Sequence, residues 1–212
     1  MKKLFIIAVF MAAFFVTEKA HAQLNLNVGY APELMTTKTP THDTSLFYDG
    51  ISLGLNWTFN LSDNLSLTTG AQYRINLRNS VEHIYLYTVI SHHITNERQT
   101  LIDVPITLNY DIAASEKITI SPFVGPMLSW GITGETKEQW PYPIGTESRH
   151  EWYGDNSVIN RFNVYGVAGI KVSFYRFTLS LGGRYGFLEL NKRITGTSKK
   201  AYGFFASFGH SF

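Results

Sequence analysis

The sequence predicts an all-β protein, an eight-stranded antiparallel up-and-down transmembrane β-barrel that follows a cleaved signal peptide. Three observations predict this fold. Apolar and polar residues alternate with a period of two from residue 24 to the C-terminus. Short and long connections between the alternating segments follow each other in turn. After the N-terminal segment, no stretch approaches the roughly 18 apolar residues that a transmembrane helix requires.

Residues 1–22 have the three parts of a secretory signal peptide. Two lysines at positions 2 and 3 precede an apolar stretch at 4–16, and residues 20–22 form an A-x-A cleavage site before Gln23. As an uncleaved helical anchor, that apolar stretch would span only about 20 Å of a hydrocarbon core of about 30 Å. The sequence therefore predicts a signal peptide at 1–22 and one barrel domain at 23–212.

The composition of residues 23–212 excludes several classes of protein. Equal numbers of basic and acidic side chains remain once residues 1–22 are removed, which gives no electrostatic basis for binding nucleic acid. The chain has no cysteine, so an exported form cannot rely on disulfides and must be stabilised by packing or by lipid. Aromatic residues make up 15% of the chain and glycine occurs 17 times, a composition that favours strands over helices.

Eight segments show the alternation, and their connections predict how the strands are arranged. The apolar faces fall within 24–34, 51–59, 65–77, 102–112, 118–132, 162–174, 177–187 and 202–212. The connections after the second, fourth and sixth strands are short, whereas we expect long loops at 35–48, 78–98, 134–158 and 191–199. This pattern is typical of a meander that closes into a barrel, with short periplasmic turns, long outer loops and both termini in the periplasm.

The alternation alone also fits a soluble lipocalin-like barrel whose apolar face points inward, and the aromatic residues favour the membrane alternative. They fall at both ends of the apolar face, as two belts at a bilayer interface would. The predicted belt at the turn end comprises Trp57, Phe59, Tyr110, Phe174, Phe177 and Phe212, and that at the loop end Tyr30, Tyr73, Trp130, Phe162, Tyr185, Phe187, Tyr202 and Phe204.

The opposite, polar face carries charged residues, which a narrow eight-stranded barrel must pair with one another or with trapped water. We expect Arg74 to pair with Asp103 on the adjacent strand, with further charges close by, so that the lumen is plugged instead of forming an open pore. Asp111 and Lys117 fit the solvated rims equally well. The predicted interior charge network is Glu33, Arg74, Asp103, Lys171 and Arg184.

No catalytic, metal-ligating or cofactor-binding residue is predicted. His92 and His93 are adjacent, but neighbouring side chains of a strand point to opposite faces, and further ligands at suitable spacing are missing. His210 and Ser211 would likewise be separated, one in lipid and one in the lumen. A lipid-modifying barrel enzyme would need a base, a nucleophile and an orienting acid gathered together, and the sequence does not supply that set.

The third long loop is rich in aromatic and charged residues. Trp140, Trp152 and Tyr153 lie among mixed charges between residues 134 and 157, a composition that suits an extracellular partner or glycan. The alternative, which we favour, is that the rings pack on the rim of the barrel.

The C-terminus resembles the signal that the barrel-assembly machinery reads in outer-membrane proteins. Phe212 is the last residue, and Phe208, Phe204 and Tyr202 precede it at alternating positions. His210 departs from the aromatic or aliphatic residue that is usual there. The machinery is therefore an expected partner during insertion.

Three short motifs carry a resemblance to a known family. They read D-V-P-I-T-L-N-Y at 103–110, S-P-F-V-G-P at 121–126 and G-V-A-G-I at 166–170. The chain from 23 to 212 is similar to the outer-membrane β-barrel domain common in Bacteroidetes, the PorT-like group. The resemblance implies a barrel and an outer-membrane address, and it carries no catalytic or ligand-binding residue onto any position.

Together these observations predict an integral outer-membrane protein with a structural, adhesive or envelope-assembly role. The expected partners are outer-membrane lipid and lipopolysaccharide. The alternatives are a lipid-modifying barrel enzyme, a narrow small-solute channel and a soluble periplasmic ligand-binding barrel. No cofactor is expected.

Overall fold

The computed structural model describes residues 23–86, 89–115, 117–140, 145–153, 157, 159–191 and 197–212. The predicted signal peptide, residues 1–22, lies outside the described residues. No helix in the described part of the chain is long and apolar enough to cross a membrane.

The described residues form antiparallel strands that follow one another around a ring. Consecutive strands of the barrel wall pair with one another, as a meander requires. The strands are β1 (Gln23–Tyr30), β2 (Glu33–Lys38), β3 (Asp43–Asn60), β4 (Leu65–Leu86), β5 (Val89–Tyr110), β6 (Ile112–Ser115), β7 (Ile118–Gln139), β8 (Glu147–Glu151), β9 (Phe162–Phe174), β10 (Phe177–Gly186) and β11 (Ser198–Ser211).

These elements make an eight-stranded barrel, which confirms the predicted fold. β1 and β2 are two halves of the first barrel strand, since each pairs with β3 on one side and β11 on the other and so closes the ring. Ala31 and Pro32 separate the halves, and proline supplies no N–H to a ladder. β6 continues β5 after Asp111 and pairs with β7. β8 pairs with the end of β7 beyond the barrel wall.

The prediction of long loops at 35–48 and 78–98 was wrong, because most of these residues are in strands. β2 continues to Lys38 and β3 already begins at Asp43. β4 and β5 stay paired from the barrel wall out to Leu86 and Val89. Likewise β7 extends to Gln139, inside the loop predicted at 134–158. At 22 residues each, β4, β5 and β7 are about twice the 9–11 residues that cross a bilayer. Their outer halves therefore form hairpins beyond the membrane.

The barrel is apolar outside and polar inside, the reverse of a soluble protein. Leu53, Ile170 and Leu181 are more than half exposed on its outer surface, whereas Arg74 and Asp103 are almost completely buried in its lumen. An apolar surface that surrounds the whole barrel is far larger than the patches that soluble proteins expose. A closed barrel with this arrangement spans a bilayer, and such barrels are the transmembrane proteins of bacterial outer membranes.

Candidate functional site

The site lies in the half of the lumen nearest the hairpins, which we call the loop end; the opposite end, with the short connections, is the turn end. Arg74 on β4 is its centre and has no solvent exposure. Its Nε donates to Asp103 Oδ2 on β5 at 2.7 Å, and its Nη1 donates to Glu33 Oε2 on β2 at 2.8 Å. Both carboxylates are at most 2% exposed, so three charges are buried in direct contact.

Arg184 reaches the same carboxylate from β10. Its Nη2 lies 3.5 Å from Glu33 Oε2 and donates to the backbone carbonyls of Ala31 at 2.7 Å and Pro32 at 3.1 Å. These carbonyls lie in the break between β1 and β2, which leaves them free to accept a side-chain donor. Two guanidiniums thus face two carboxylates, and the four charges sum to zero.

Neutral side chains complete the hydrogen bonding of the carboxylates. Ser129 on β7 donates to Asp103 Oδ1 at 2.5 Å, and the Tyr165 hydroxyl on β9 donates to Glu33 Oε2 at 3.1 Å. These bonds matter because a buried charge is costly unless it is both paired and hydrogen-bonded. Counting Arg184, six of the barrel's strand segments, β2, β4, β5, β7, β9 and β10, contribute side chains to the network and so tie the wall together across the lumen.

Trp152 and Tyr153 cover the network from the loop end. Both are buried, in a cluster with Tyr48 and Tyr165. Two glycines of β7 make room for them, since a Cβ on Gly131 would meet the Tyr153 ring at 2.3 Å and one on Gly134 would meet Trp152 at 2.8 Å. This pair of rings, which we call the aromatic cap, therefore sits in a recess of the barrel wall.

Hydrogen bonds join the aromatic cap to the charge network. Gln99 Nε2 donates to the Tyr153 hydroxyl at 2.6 Å and Asn76 Nδ2 donates to Gln99 Oε1 at 3.1 Å, while Asn76 in turn accepts from Arg74. Trp152 Nε1 donates to Thr136 Oγ1 at 2.7 Å. Burial raises the pKa of the Tyr153 phenol, which keeps the hydroxyl neutral. The loop end of the lumen is thus filled by side chains.

The turn-end half of the lumen is different, because it contains a polar cavity of about 340 Å³. The cavity reaches from the turn end to the underside of Arg74 and Arg184. Lys171 lines it, and its ammonium donates to Thr68 Oγ1 at 3.4 Å. Asp111, also in the wall, accepts from Ser121 and Ser66. A cavity of this size and polarity has room for several water molecules.

The structure brings together four of the five residues of the predicted network, Glu33, Arg74, Asp103 and Arg184. Lys171 faces the lumen as expected but lies nearer the turn end, and within the described ranges no ion pair joins it to the other four. Of the two residues assigned to lumen or rim, Asp111 faces the lumen and Lys117 is exposed.

The predicted belt residues lie on the outer surface of the barrel, near its two ends. Most of them are more than a third exposed on that surface. The belt members with this exposure are Trp57, Tyr110, Phe174, Phe177 and Phe212 at the turn end, and Tyr30, Tyr73, Trp130, Phe162, Tyr185, Phe187, Tyr202 and Phe204 at the loop end. Phe59 is half-buried.

In the described part of the chain, the histidines and the serine considered in the sequence analysis do not come together as a catalytic or metal-binding site. His210 packs between Phe177 and Phe212 on the outer face, whereas Ser211 faces the lumen and accepts from Asn25. No group of three or more potential His, Cys, Asp or Glu metal ligands occurs among the described residues.

Sequence reasoning missed the neutral members of the site. Asn76 and Ser129 lie on predicted strands and on the polar face, so their positions were available from the alternation. Gln99 lies between the loop predicted at 78–98 and the strand predicted from 102, and Tyr153 lies in the loop predicted at 134–158. Tyr165 is an aromatic residue on the lumen face, where the alternation alone gives no sign that a ring is needed to reach Glu33.

Comparison with known proteins finds matches only among solved structures. No protein-family model matches the chain, and no curated protein matches it. The chain is similar to the attachment invasion locus protein Ail of Yersinia pestis in complex with the heparin analogue sucrose octasulfate, with 10% identity, a TM-score of 0.43, and coverage of 90% of this chain and 99% of that one.

Two further structures are similar at the same level. Neisserial surface protein A has 14% identity and a TM-score of 0.42, with 88% of this chain and 97% of that chain covered. The outer membrane enzyme PagL has 11% identity and a TM-score of 0.38, with 84% and 97% covered. At these sequence identities and TM-scores, no residue role and no activity of these proteins can be assigned to this chain.

Proposed function

We propose that this chain acts as a closed outer-membrane barrel with a structural, adhesive or envelope-assembly role, in which the wall anchors the hairpins that project beyond the membrane. The observation that carries this proposal is the contact of Arg74 with Asp103 and Glu33 under the aromatic cap. A lumen filled in this way has no path for solutes at the loop end, so the exposed hairpins, and not a pore, are the surfaces available for function.

The hairpins support the adhesive or assembly role. The outer halves of β4, β5 and β7 carry many polar and charged side chains and are stiffened by continuous backbone pairing with their neighbours. A rigid paired strand loses less entropy on binding than a flexible loop does. We propose that an extracellular partner or glycan binds here, that outer-membrane lipid and lipopolysaccharide contact the aromatic belts, and that the barrel-assembly machinery recognises the C-terminal strand.

We also propose a family for this chain and the removal of its signal peptide. The motifs at 103–110, 121–126 and 166–170 support membership of the PorT-like group of Bacteroidetes barrels. The lysines and the A-x-A site support export and cleavage after Ala22. Mass measurement of the protein from outer membranes tests the second point: a mass starting at Gln23 is expected, and retention of residues 1–22 would contradict cleavage.

We further propose that the chain is not an enzyme, with the lipid-modifying barrel as the alternative. The separation of His210 and Ser211 across the wall supports this, because a nucleophile and its base must be within hydrogen-bond reach. Incubation of the purified barrel with lipid A or phospholipid, followed by mass analysis, is expected to leave the lipids unchanged. Time-dependent loss or transfer of an acyl chain would overturn the proposal.

Conductance in planar bilayers tests the closed lumen. The wild-type protein is expected to give no steps of the size of an open water-filled pore. A variant in which Trp152 and Tyr153 are both alanine loses the aromatic cap but keeps the charge network, so it should also stay closed. Regular pore-sized steps from the wild type would favour the small-solute channel.

Carbonate washing of membranes tests insertion into the bilayer. It should leave the protein in the pellet, and release of the protein into the soluble fraction would contradict insertion.

A further inference from the structure

Two histidines face each other across the hairpin that β4 and β5 form beyond the membrane. His83 on β4 is the direct cross-strand partner of His92 on β5. Their rings lie 4.8 Å apart between centroids, at an angle of 68°, and both side chains are exposed. Directly opposed residues of an antiparallel pair have Cβ atoms about 4.5–5.5 Å apart and project to the same face.

This arrangement suits a chelating pair of ligands. A neutral imidazole binds a transition metal at about 2.0–2.1 Å, so two nitrogens at adjacent coordination positions are roughly 3 Å apart. Two rings on opposed Cβ atoms reach that separation by rotating about their side-chain bonds, which exposure permits. The backbone pairing fixes the rest of the geometry in advance, which lowers the entropy cost of binding.

We propose that His83 and His92 form a two-imidazole site for a divalent transition metal, with Cu²⁺ bound most tightly, ahead of Ni²⁺ and Zn²⁺. This order follows the general affinity series for nitrogen ligands. Water or an external ligand fills the other coordination positions. The site is therefore open, and a bound metal can accept a further ligand from outside the chain.

The neighbouring histidine does not belong to this site. His93 points to the other face of the hairpin, where its ring stacks on Trp140 at 4.0 Å and its Nδ1 lies 3.9 Å from Glu82 Oε2. The adjacency of His92 and His93 in the sequence is thus uninformative. What matters is the register, which makes His83 the cross-strand partner of His92 and which the sequence alone does not give.

The test uses the full mature chain without an affinity tag, folded in detergent micelles. Calorimetric titration with Cu²⁺ is expected to give one site per chain, and electron paramagnetic resonance should show two imidazole nitrogens on the copper. H83A and H92A should each weaken binding by about 10-fold or more and leave one nitrogen, because even outer-shell partners of metal ligands are worth about 10–100-fold. Mg²⁺ and Ca²⁺, which prefer oxygen ligands, should not compete.

Matched controls separate this pair from general histidine binding. H42A and H150A remove exposed histidines from other hairpins and should leave the affinity and the copper spectrum unchanged. Circular dichroism should be the same for all four variants, since each altered side chain is exposed. Wild-type affinity in H83A or H92A, or equal losses in H42A and H150A, would overturn the proposal.

Discussion

Replacing Arg74 with methionine tests the charge network most directly. The substitution keeps a long side chain but removes the cation that contacts Asp103 at 2.7 Å and Glu33 at 2.8 Å. Arg184 remains, but it is 3.5 Å from Glu33 and cannot replace the paired contacts to Asp103. Breaking a buried ion pair from one side costs about 3–5 kcal/mol, because it leaves a charge buried and uncompensated.

Arg78 supplies a matched control on the same strand and the same face. It pairs with Glu97 at 2.9 Å, but the two side chains are 19% and 13% exposed, so water compensates for part of a lost contact. Arg78→Met should therefore cost only about 1 kcal/mol. The free energies of unfolding are measured by urea titration in lipid vesicles, followed by tryptophan fluorescence. In a further variant, Asp103→Asn added to Arg74→Met should recover part of the loss. Equal losses for Arg74→Met and Arg78→Met would refute the reasoning.

Two other substitutions test the aromatic cap and the outer face. Gly131→Ala should lower the free energy of unfolding by about 1–3 kcal/mol and speed protease cleavage between 140 and 157, since the new Cβ would overlap the Tyr153 ring. Gly183→Ala is the control, because a Cβ on Gly183 would lie 3.8 Å from its nearest neighbouring atom. The same loss of stability for both glycine variants would mean that Tyr153 does not pack against β7. Leu181→Arg should cost about 2–4 kcal/mol in vesicles, because Leu181 is 53% exposed on the lipid-facing surface, and a negligible cost would mean that this face is in water.

The sequence predicted the wall of the barrel because lipid on one side and a polar lumen on the other impose a period of two. The same cause explains where the prediction failed. Beyond the membrane both faces of a hairpin are in water, so the strict alternation is lost from 78–98 while backbone pairing continues. Apolar residues such as Val81 and Ile94 occur there, but they do not recur at every second position. A pattern of hydrophobicity cannot distinguish such a hairpin from a loop.

The alternation predicts whether a side chain points into the lumen or outward, but not its position along the barrel axis. Lys171 and Arg184 both point inward, but Arg184 is paired with Val167, which lies four residues along β9 from Lys171. At about 3.3 Å per residue this separates them by roughly 13 Å along the strand. The register between strands decides which charges meet, and it is fixed by all the pairings around the ring, which no single strand encodes.

The position of the charges has a consequence for how the barrel folds. If β4 slipped by one residue, Arg74 would face lipid and Tyr73 would enter the lumen. Next to the loop-end belt the exposure of Arg74 costs only about 0–1 kcal/mol, but Asp103 and Glu33 would lose their buried partner, at a cost of about 3–5 kcal/mol. An apolar lumen would impose no such cost, because strands that are apolar on both faces tolerate either orientation. A buried ion pair adds little to stability compared with well-packed apolar residues. The physical effect of Arg74, Asp103, Glu33 and Arg184 is therefore to penalise the wrong register of their strands as well as to close the lumen.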